Sequence, residues 1–340
     1  TTVASNEPVE IRRLTLENEG LEEEILEVNT YFEPILSKKE QDYAHPAFNN
    51  LFLITKFDEE TKSLIIKRKN REPNGKKVYL AVNLSTNSET VGDFEYEIEE
   101  EKYIGRGNLG IPNKIKNSNP LSKKIGLALE PIIALKRTVK IKPNTKATLD
   151  LIISVDENKE KALENIKKYK SIENVKKEFE LSKARVEAES RYLRIKGSEI
   201  EIYQKMLSYI IFTNPLSSQR KEKTNAQIVF KQSDLWKYGI SGDLPIILVK
   251  MKNVNDNYVI KEVLKAYEFF RTKNIEVEIV ILDEEKHSYE NYVKEEIEGA
   301  ILNYHMSYLK NQKGGIFILT KSEIDKKDIQ LLDFLADIVI

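Results

Sequence analysis

The fold of the first part of this chain is decided by the stretch Ala147-Thr148-Leu149-Asp150-Leu151-Ile152-Ile153-Ser154-Val155. Its apolar residues stand at every second position, the period that buries one face of a β-strand and leaves the other in water. The same alternation returns upstream in residues 26–32, 78–84 and 94–98, with turn sequences between the segments. Several short strands without a helical period between them predict an antiparallel β-sandwich over residues 1–155.

Beyond the sandwich, the apolar residues change to a helical period. They recur mostly three or four positions apart at Leu163, Ile166, Ile172, Val175 and Phe179. Charged residues fill the positions between them, which is typical of amphipathic helices. A second helix is predicted over residues 198–212, and the whole of residues 156–232 is predicted to be a helical linker.

Strand and helix patterns alternate in the last part of the chain. The run Ile246-Ile247-Leu248-Val249 is apolar throughout, as expected for a strand that is buried on both faces. Helical and strand patterns then follow each other as in βαβ units, with the last helix over residues 326–335. This order predicts a small α/β domain with a parallel sheet over residues 233–340. The predicted fold class is therefore multidomain α+β.

The composition excludes several classes of function. The 340 residues include 54 Lys and Arg against 55 Asp and Glu, so the chain lacks the basic excess of a nucleic-acid-binding protein. No run of about 18 apolar residues is present, which predicts no direct membrane insertion. The absence of cysteine excludes a thiol nucleophile, and His45, His287 and His305 are too far apart to form a metal-binding pair. We predict no metal site, no cofactor and a cytoplasmic location.

One loop, residues 233–245, holds the only tryptophan of the chain immediately before the first buried strand. In a functional interpretation, Trp236 and Tyr238 stack on a sugar ring, and Asp243 accepts hydrogen bonds from sugar hydroxyls. In a structural interpretation, Trp236 fills a domain junction, and Asp243 satisfies backbone N–H groups of its own loop. The residues alone leave both interpretations open.

A second candidate is Arg106, in the stretch Tyr103-Ile104-Gly105-Arg106-Gly107-Asn108 that opens a long loop over residues 105–126. Its forked guanidinium is suited to sugar hydroxyls or to a phosphate. The same group could instead hold its own loop in place by donating hydrogen bonds to backbone carbonyls. Both interpretations remain open here as well.

No catalytic residue is predicted. Ser241 lies in Gly239-Ile240-Ser241-Gly242-Asp243, which differs from the nucleophile elbow and precedes a strand instead of a helix. The acidic runs at residues 22–24 and 99–101 are typical of solvated faces. Asp283-Glu284-Glu285 follows a parallel strand, where α/β folds often bind ligands, but no partner for it is visible.

Several of these stretches together resemble the cyclic β-1,2-glucan synthase family, in the region that is related to glycoside hydrolase family 94, formerly glycosyltransferase family 36. The stretches that carry the resemblance are Glu10-Ile11-Arg12-Arg13-Leu14-Thr15-Leu16, Tyr43-Ala44-His45-Pro46-Ala47-Phe48-Asn49-Asn50-Leu51-Phe52, Tyr103-Ile104-Gly105-Arg106-Gly107, Leu129-Glu130-Pro131-Ile132-Ile133-Ala134-Leu135, Leu235-Trp236-Lys237-Tyr238-Gly239-Ile240-Ser241-Gly242-Asp243-Leu244-Pro245-Ile246, Gly314-Gly315-Ile316-Phe317 and Ala336-Asp337-Ile338-Val339-Ile340. The resemblance implies a supersandwich of the galactose-mutarotase-like type, followed by the linker and the α/β segment. In that family, the glucose-transferring domain and the phosphorylase-like barrel with its catalytic acid lie outside the matched part.

The resemblance therefore implies a non-catalytic, carbohydrate-binding or scaffolding portion of a large β-glucan synthase or phosphorylase-like enzyme. The expected partners are a β-glucan oligosaccharide and neighbouring domains of the parent enzyme, which could be attached to the inner membrane. The expected sugar contacts are Trp236, Tyr238, Asp243 and Arg106. The chain starts without an initiator methionine and stops on a strand-like segment, so we expect it to be a piece of a longer polypeptide.

Two alternatives remain at the level of the sequence. In the first, the chain itself turns over a β-glucan by phosphorolysis or transglycosylation, which requires an acid and base or a phosphate site. In the second, the chain is a purely structural docking domain, and a broad exposed apolar patch would be its sign.

Overall fold

The computed structural model of this chain describes residues 1–70, 75–212, 231–285 and 292–340. Within these ranges the backbone divides into two compact units, Thr1–Val186 and Glu187–Ile340. The assignment of residues 156–232 to a separate linker stays a prediction, and residues 213–230 of that segment lie outside the described residues.

The first unit combines a β-sandwich with short helices and one long helix. Its strands are β1 (Thr2–Val3), β2 (Val9–Asn18), β3 (Glu24–Phe32), β4 (Leu53–Asp58), β5 (Ser63–Arg68), β6 (Tyr79–Thr86), β7 (Thr90–Glu99), β8 (Pro131–Ile141) and β9 (Thr145–Asp156). Its helices are α1 (Lys39–Ala44), α2 (Pro46–Asn50), α3 (Glu100–Tyr103), α4 (Asn113–Lys116), α5 (Lys159–Tyr169) and α6 (Ile172–Tyr192), the last of which continues into the second unit.

Hydrogen bonds join these strands into two antiparallel sheets. The larger sheet has the order β1-β2-β9-β6-β5-β4, and the smaller has the order β3-β8-β7. Strand β9 contains the alternating stretch of residues 147–155. It is hydrogen-bonded to β2 on one side and to β6 on the other. It therefore lies in the middle of the larger sheet.

The sandwich core lies between the two sheets and follows the alternation of the sequence. Ala147, Leu149 and Leu151 of β9 are buried there with apolar residues of both sheets. Ile152 faces the opposite side, where it is buried in a second cluster with apolar side chains of α5. Because α5 covers this outer face, both faces of β9 are protected from water, and burial of this kind is the main favourable contribution to folding.

The second unit is an α/β structure built around a parallel sheet. Its strands are β10 (Ile246–Met251), β11 (Glu278–Asp283), β12 (Ile316–Thr320) and β13 (Ile338–Val339). Its helices are α7 (Gly197–Ile211), α8 (Asn257–Thr272), α9 (Tyr292–Asn303) and α10 (Lys326–Leu335), and a 3-10 helix (Gln232–Tyr238) precedes β10.

The parallel sheet has the order β12-β11-β10-β13 and is covered on both faces. Ile247 and Ile279 point to a cluster that includes residues of α7, α8 and α9. Leu248 and Val280 point to the other face, toward α10 and the 3-10 helix. Two covered faces explain why most residues of these strands are apolar.

The predicted fold class is confirmed, with an antiparallel sandwich followed by helices and a separate parallel sheet. Helix α7 spans the predicted second helix to within one residue at each end, and α10 has the predicted bounds. Among the residues that the structure describes, no helix is both long and apolar enough to cross a membrane.

Candidate functional site

One pocket of the first unit is lined in part by Arg106, and we call it the Arg106 pocket. It is open to solvent and has a volume of about 700 Å³. It lies between α3, the loop after this helix and the segment that leads into β8. The lining residues are Glu99, Glu100, Glu101, Gly105, Arg106, Gly107, Leu127, Ala128, Leu129 and Glu130.

The loop that carries Arg106 is fixed by asparagine side chains. The amide of Asn108 donates hydrogen bonds to the carbonyl oxygens of Ile104, at 2.9 Å, and Ile111, at 2.8 Å. Gly105 has a φ of +95°, and a Cβ at this position would lie 1.9 Å from the side-chain nitrogen of Asn113. The tight turn therefore requires glycine, both for its backbone conformation and for the close approach of Asn113.

Arg106 itself is exposed at the rim of the pocket. Its guanidinium forms no hydrogen bond or ion pair with any residue that the structure describes. The loop does not depend on it, because Asn108 supplies the bonds to the backbone carbonyls. Five N–H donors are thus available to a ligand in the fork geometry of the guanidinium.

Acidic residues form part of the pocket lining. The Glu100 side chain has a pKa above the ordinary value, mainly because of burial, and the negative charges of Glu130 and Glu33 add to this effect. Glu99 is paired with Lys102, whose Nζ lies 2.5 Å from Oε1. Carboxylate oxygens accept hydrogen bonds and the guanidinium donates them, so the pocket offers both partners that a sugar hydroxyl can use.

Exposed apolar side chains are frequent in the segment between β7 and β8, which contributes Leu127 and Leu129 to the pocket lining. Leu109 is fully exposed, Leu129 is 78% exposed, and Ile111, Ile125 and Leu127 are also exposed. All of them lie between β7 and β8 in sequence. So many exposed large apolar residues in one connecting segment are typical of a surface that contacts another protein or domain.

In the second unit, Trp236 lies at the surface of its loop. Its side chain is 62% exposed, and its Nε1 donates a hydrogen bond to the carbonyl oxygen of Ser241 at 3.1 Å. The indole N–H is therefore used within the loop, whereas the ring face is accessible. An exposed indole held by one hydrogen bond is suited to stacking on an apolar sugar face.

The other two predicted contacts in this loop have protein partners. The hydroxyl of Tyr238 donates a hydrogen bond to Oδ2 of Asp328 at 2.6 Å, and this aspartate is also paired with Lys237. Asp243 forms an ion pair with Lys313, with 3.2 Å between Oδ2 and Nζ. The hydroxyl of Tyr238 is thus bonded to the buried Asp328, whereas the ion pair between Asp243 and Lys313 lies at the surface.

Glu278 is a residue that the sequence analysis did not identify. It is fully buried at the start of β11, where its Oε1 accepts hydrogen bonds from the backbone N–H groups of Ser241, at 3.2 Å, and Gly314, at 3.4 Å. It therefore joins the Trp236 loop to the turn before β12. The signal in the sequence is an acidic residue at the first position of an otherwise apolar strand.

The predicted site residues are divided between the two units. Trp236, Tyr238 and Asp243 share one loop of the second unit, and Arg106 lies in the first unit. The acidic run after β11 has a partner, because Glu284 is paired with Lys321 at 2.7 Å.

The sequence of this chain is similar to a known protein family and to a known protein. The family described as "Glycosyl hydrolase 94, supersandwich domain" matches residues 1–172, which include the whole sandwich and α5. The chain is also 24% identical over 310 residues to "Cyclic beta-(1,2)-glucan synthase NdvB" of Rhizobium meliloti (strain 1021). This alignment covers 91% of the chain and 11% of the relative, so the chain spans a small part of the relative's length. Both matches confirm the resemblance that the residues indicate.

Proposed function

Because this chain belongs to the glycosyl hydrolase 94 supersandwich-domain family, we propose that it is a non-catalytic, carbohydrate-binding part of a larger glycosyltransferase-like enzyme. It holds a β-glucan oligosaccharide at the Arg106 pocket and positions it for catalytic domains elsewhere in the parent polypeptide. The relative is named as a cyclic β-(1,2)-glucan synthase, so β-1,2-linked glucan is the ligand class that we propose.

One observation supports this proposal above the others: the Arg106 guanidinium has no partner among the described residues and faces a carboxylate-lined pocket. A surface arginine is more often involved in an ion pair or in fixing its own loop, and here Asn108 fixes the loop. The pocket volume of about 700 Å³ falls within the range of small-ligand sites. In the second unit, the exposed ring of Trp236 supports a role in stacking on the same class of ligand.

Calorimetric titration with β-1,2-linked glucooligosaccharides tests the proposal, with β-1,4-linked oligosaccharides as the comparison. We expect saturable binding of the β-1,2-linked ligand, and a loss of about tenfold in affinity for Arg106→Ala, because charge-assisted hydrogen bonds contribute about 1.5–3 kcal/mol. Arg185→Ala, at an exposed position of α6 in the same unit, is the matched control and should bind as the unchanged chain does.

Three results would overturn the proposal. No heat with either oligosaccharide would remove the binding function, and equal affinity after Arg106→Ala would move the ligand away from this pocket. Release of a sugar phosphate or of a shortened glucan by the isolated chain would instead establish the alternative in which the chain is itself a phosphorylase or transglycosylase.

The exposed apolar residues between β7 and β8 favour a second candidate function, which is docking to a neighbouring domain of the parent enzyme. The relative extends far beyond the matched part, so further domains are available as partners. We expect Leu109→Asp combined with Leu129→Asp to abolish co-purification of this chain with the separately expressed remainder of its parent polypeptide. Leu21→Asp, at a highly exposed position far from this loop in sequence, is the control. Retention of the complex by the double variant would exclude this surface.

We also propose that the two units are cytoplasmic, within a parent enzyme attached to the inner membrane. The absence of cysteine is compatible with a reducing compartment but does not require one. Protease protection in intact and permeabilised cells tests the location, since cleavage in intact spheroplasts would contradict it.

A further inference from the structure

A second pocket of the first unit has no role in the proposed function. It is open to solvent, has a volume of about 420 Å³, and lies between the β4–β5 turn, β7 and β8. We call it the Arg137 pocket. Its lining residues are Phe57, Glu59, Lys62, Gly92, Asp93, Phe94, Tyr96, Lys123 and Arg137.

The charges of this pocket leave one cation without a counter-charge. Lys62 is paired with Glu59, with 2.6 Å between Nζ and Oε2, and Lys123 is paired with Asp93, with 2.9 Å between Nζ and Oδ2. Both carboxylates at the rim are therefore occupied by lysines. Arg137 forms no ion pair with any residue that the structure describes, and it lies deeper in the pocket than either lysine.

Arg137 is held in place without being neutralised. Its Nε donates a hydrogen bond to the carbonyl oxygen of Leu84 at 3.3 Å, and its guanidinium lies 4.6 Å from the centre of the Phe94 ring. Both contacts orient the side chain, and neither supplies a negative charge. The terminal N–H groups have no acceptor among the described residues, so they remain available to a ligand in the pocket.

The surroundings make this uncompensated charge unfavourable. Burial lowers the pKa of Arg137, although a guanidinium stays charged at any ordinary pH. Burial, followed by the positive charge of Arg137, also lowers the pKa of Lys170. The negative charge of Asp58 acts in the opposite direction on Lys170 but does not outweigh these effects. An anion that entered the pocket would therefore relieve repulsion between cations as well as pair with the guanidinium.

Aromatic rings form another part of the pocket lining. Phe57 and Tyr96 are stacked with their centroids 4.7 Å apart and their planes 20° from parallel, and Phe94 lies beside them. Phe94 and Tyr96 are buried in the sandwich core, so the half-buried Phe57 is the ring that a ligand can reach. A half-buried aromatic ring next to a forked cation matches a ligand that carries one anionic group on a ring with an apolar face. Monosaccharides with a phosphate or a carboxylate have this chemistry.

We propose that the Arg137 pocket binds a small anionic sugar, with the guanidinium of Arg137 on its phosphate or carboxylate and the sugar ring against Phe57. This site is separate from the Arg106 pocket and does not depend on the proposed binding of β-glucan. The ligand would be a phosphorylated sugar or a uronic acid, and the two share the same contact with Arg137.

Titration of the whole chain with glucose 6-phosphate, glucuronate and glucose tests the proposal, with the affinities measured by calorimetry at two salt concentrations. We expect at least one anionic sugar to bind ten or more times tighter than glucose, with a preference that decreases as salt is added. The tighter of the two anionic ligands identifies whether phosphate or carboxylate is preferred. Equal affinity for all three sugars, or no binding of the anionic ones, would overturn the proposal.

Variants assign the binding to this pocket. Arg137→Gln should remove the preference for the anionic sugar, whereas Arg185→Gln, at the exposed control position of α6, should leave it unchanged. If Arg137→Gln does not fold, Lys123→Gln at the exposed rim takes its place and should weaken anionic-sugar binding about threefold, since it removes one positive charge. A folded variant at either position with undiminished preference would overturn the proposal. The proposed binding of β-glucan is tested with neutral glucans and with Arg106→Ala. The binding of β-glucan and the binding of an anionic sugar can therefore be refuted independently.

Discussion

We expect the ion pair between Arg13 of β2 and Asp150 of β9 to be one of the interactions on which the sandwich depends most. The two residues lie directly opposite each other in the β2–β9 pairing. Nε and Nη2 of Arg13 donate to the two carboxylate oxygens of Asp150, each at 2.8 Å. The Asp150 side chain is 5% exposed, and its hydrogen bonds raise the pKa of Arg13.

The change to make is Arg13→Met, which keeps an unbranched apolar stem and removes the charged guanidinium. A nearly buried carboxylate is then left without a partner, which costs about 3–5 kcal/mol for a pair of this kind. Asp150→Asn should cost less, about 1–2 kcal/mol, because the Arg13 side chain that remains is 22% exposed. Arg13→Met combined with Asp150→Asn should cost less than the sum of the single changes, by about 1–3 kcal/mol.

Hydrogen exchange measured by mass spectrometry is the assay, because it separates the two units. In Arg13→Met, we expect amides of β2 and β9 to exchange about 100-fold faster or more, since each 1.4 kcal/mol corresponds to about a factor of ten. Amides of α8 in the second unit should not change. The neighbouring Arg12→Met is the matched control, because Arg12 forms only an exposed pair with Glu10 and should contribute less than about 1 kcal/mol.

Two results would refute this reasoning. A cost for Arg13→Met as small as that for Arg12→Met would show that the Asp150 carboxylate is solvated in spite of its burial. Strictly additive costs of Arg13→Met and Asp150→Asn would show that the two charges do not interact in the folded state.

Three further predictions follow from single positions. Trp236→Ala should change the free energy of unfolding by about 0.5 kcal/mol or less in urea titrations, because the ring is exposed, whereas Leu235→Ala beside it, fully buried, should cost about 2–5 kcal/mol. Gly105→Ala should reduce the free energy of unfolding by about 1–3 kcal/mol, because Gly105 has a positive φ and its Cβ would clash with the side-chain nitrogen of Asn113. Calorimetric scans should show this as a lower thermal midpoint. Hydrogen bonds, first of all with Lys168, hold the pKa of Glu7 below its ordinary value, so this stabilisation is present above the unfolded-state pKa and is lost as the pH falls through the folded-state pKa. Glu7→Gln should therefore flatten the acid side of a stability–pH profile, and an unchanged profile would contradict the assignment.

Strands whose apolar residues alternate with polar ones and helices with one apolar stripe were predictable from the sequence. β9 and α10 show this, because periodic burial leaves a periodic pattern that does not depend on distant residues. β5 was not predicted. Its residues Leu64, Ile65 and Ile66 are all buried, so the alternation that marks a strand is missing. Such a run cannot be distinguished from a buried helical turn without knowing what covers its second face.

The candidate sites were predictable only in part, because they depend on which residues the pairing of strands brings together. Arg106 was identified from its local stretch. Arg137 was not identified, because its lack of a counter-charge depends on residues of the β4–β5 turn, of β7 and of the loop before β8, which are distant from it in sequence. The structural interpretation of Arg106, in which it fixes its own loop, could not be decided before the bonds of Asn108 were known.

The pairing of β2 with β9 has a consequence for the synthesis of this protein. Val9 pairs with Ser154 and Asn18 pairs with Thr145. Strand β2 therefore cannot pair with β9 until nearly the whole sandwich has been translated. At about 5–20 residues per second, a ribosome needs roughly 7–30 s to make the intervening chain. During that time only the two-residue strand β1 can pair with β2. In the second unit, β10 meets β11 after about 30 residues, so its parallel sheet can begin to form within seconds. The emerging sandwich thus presents an unpaired ten-residue strand to the chaperones at the tunnel exit for most of its synthesis.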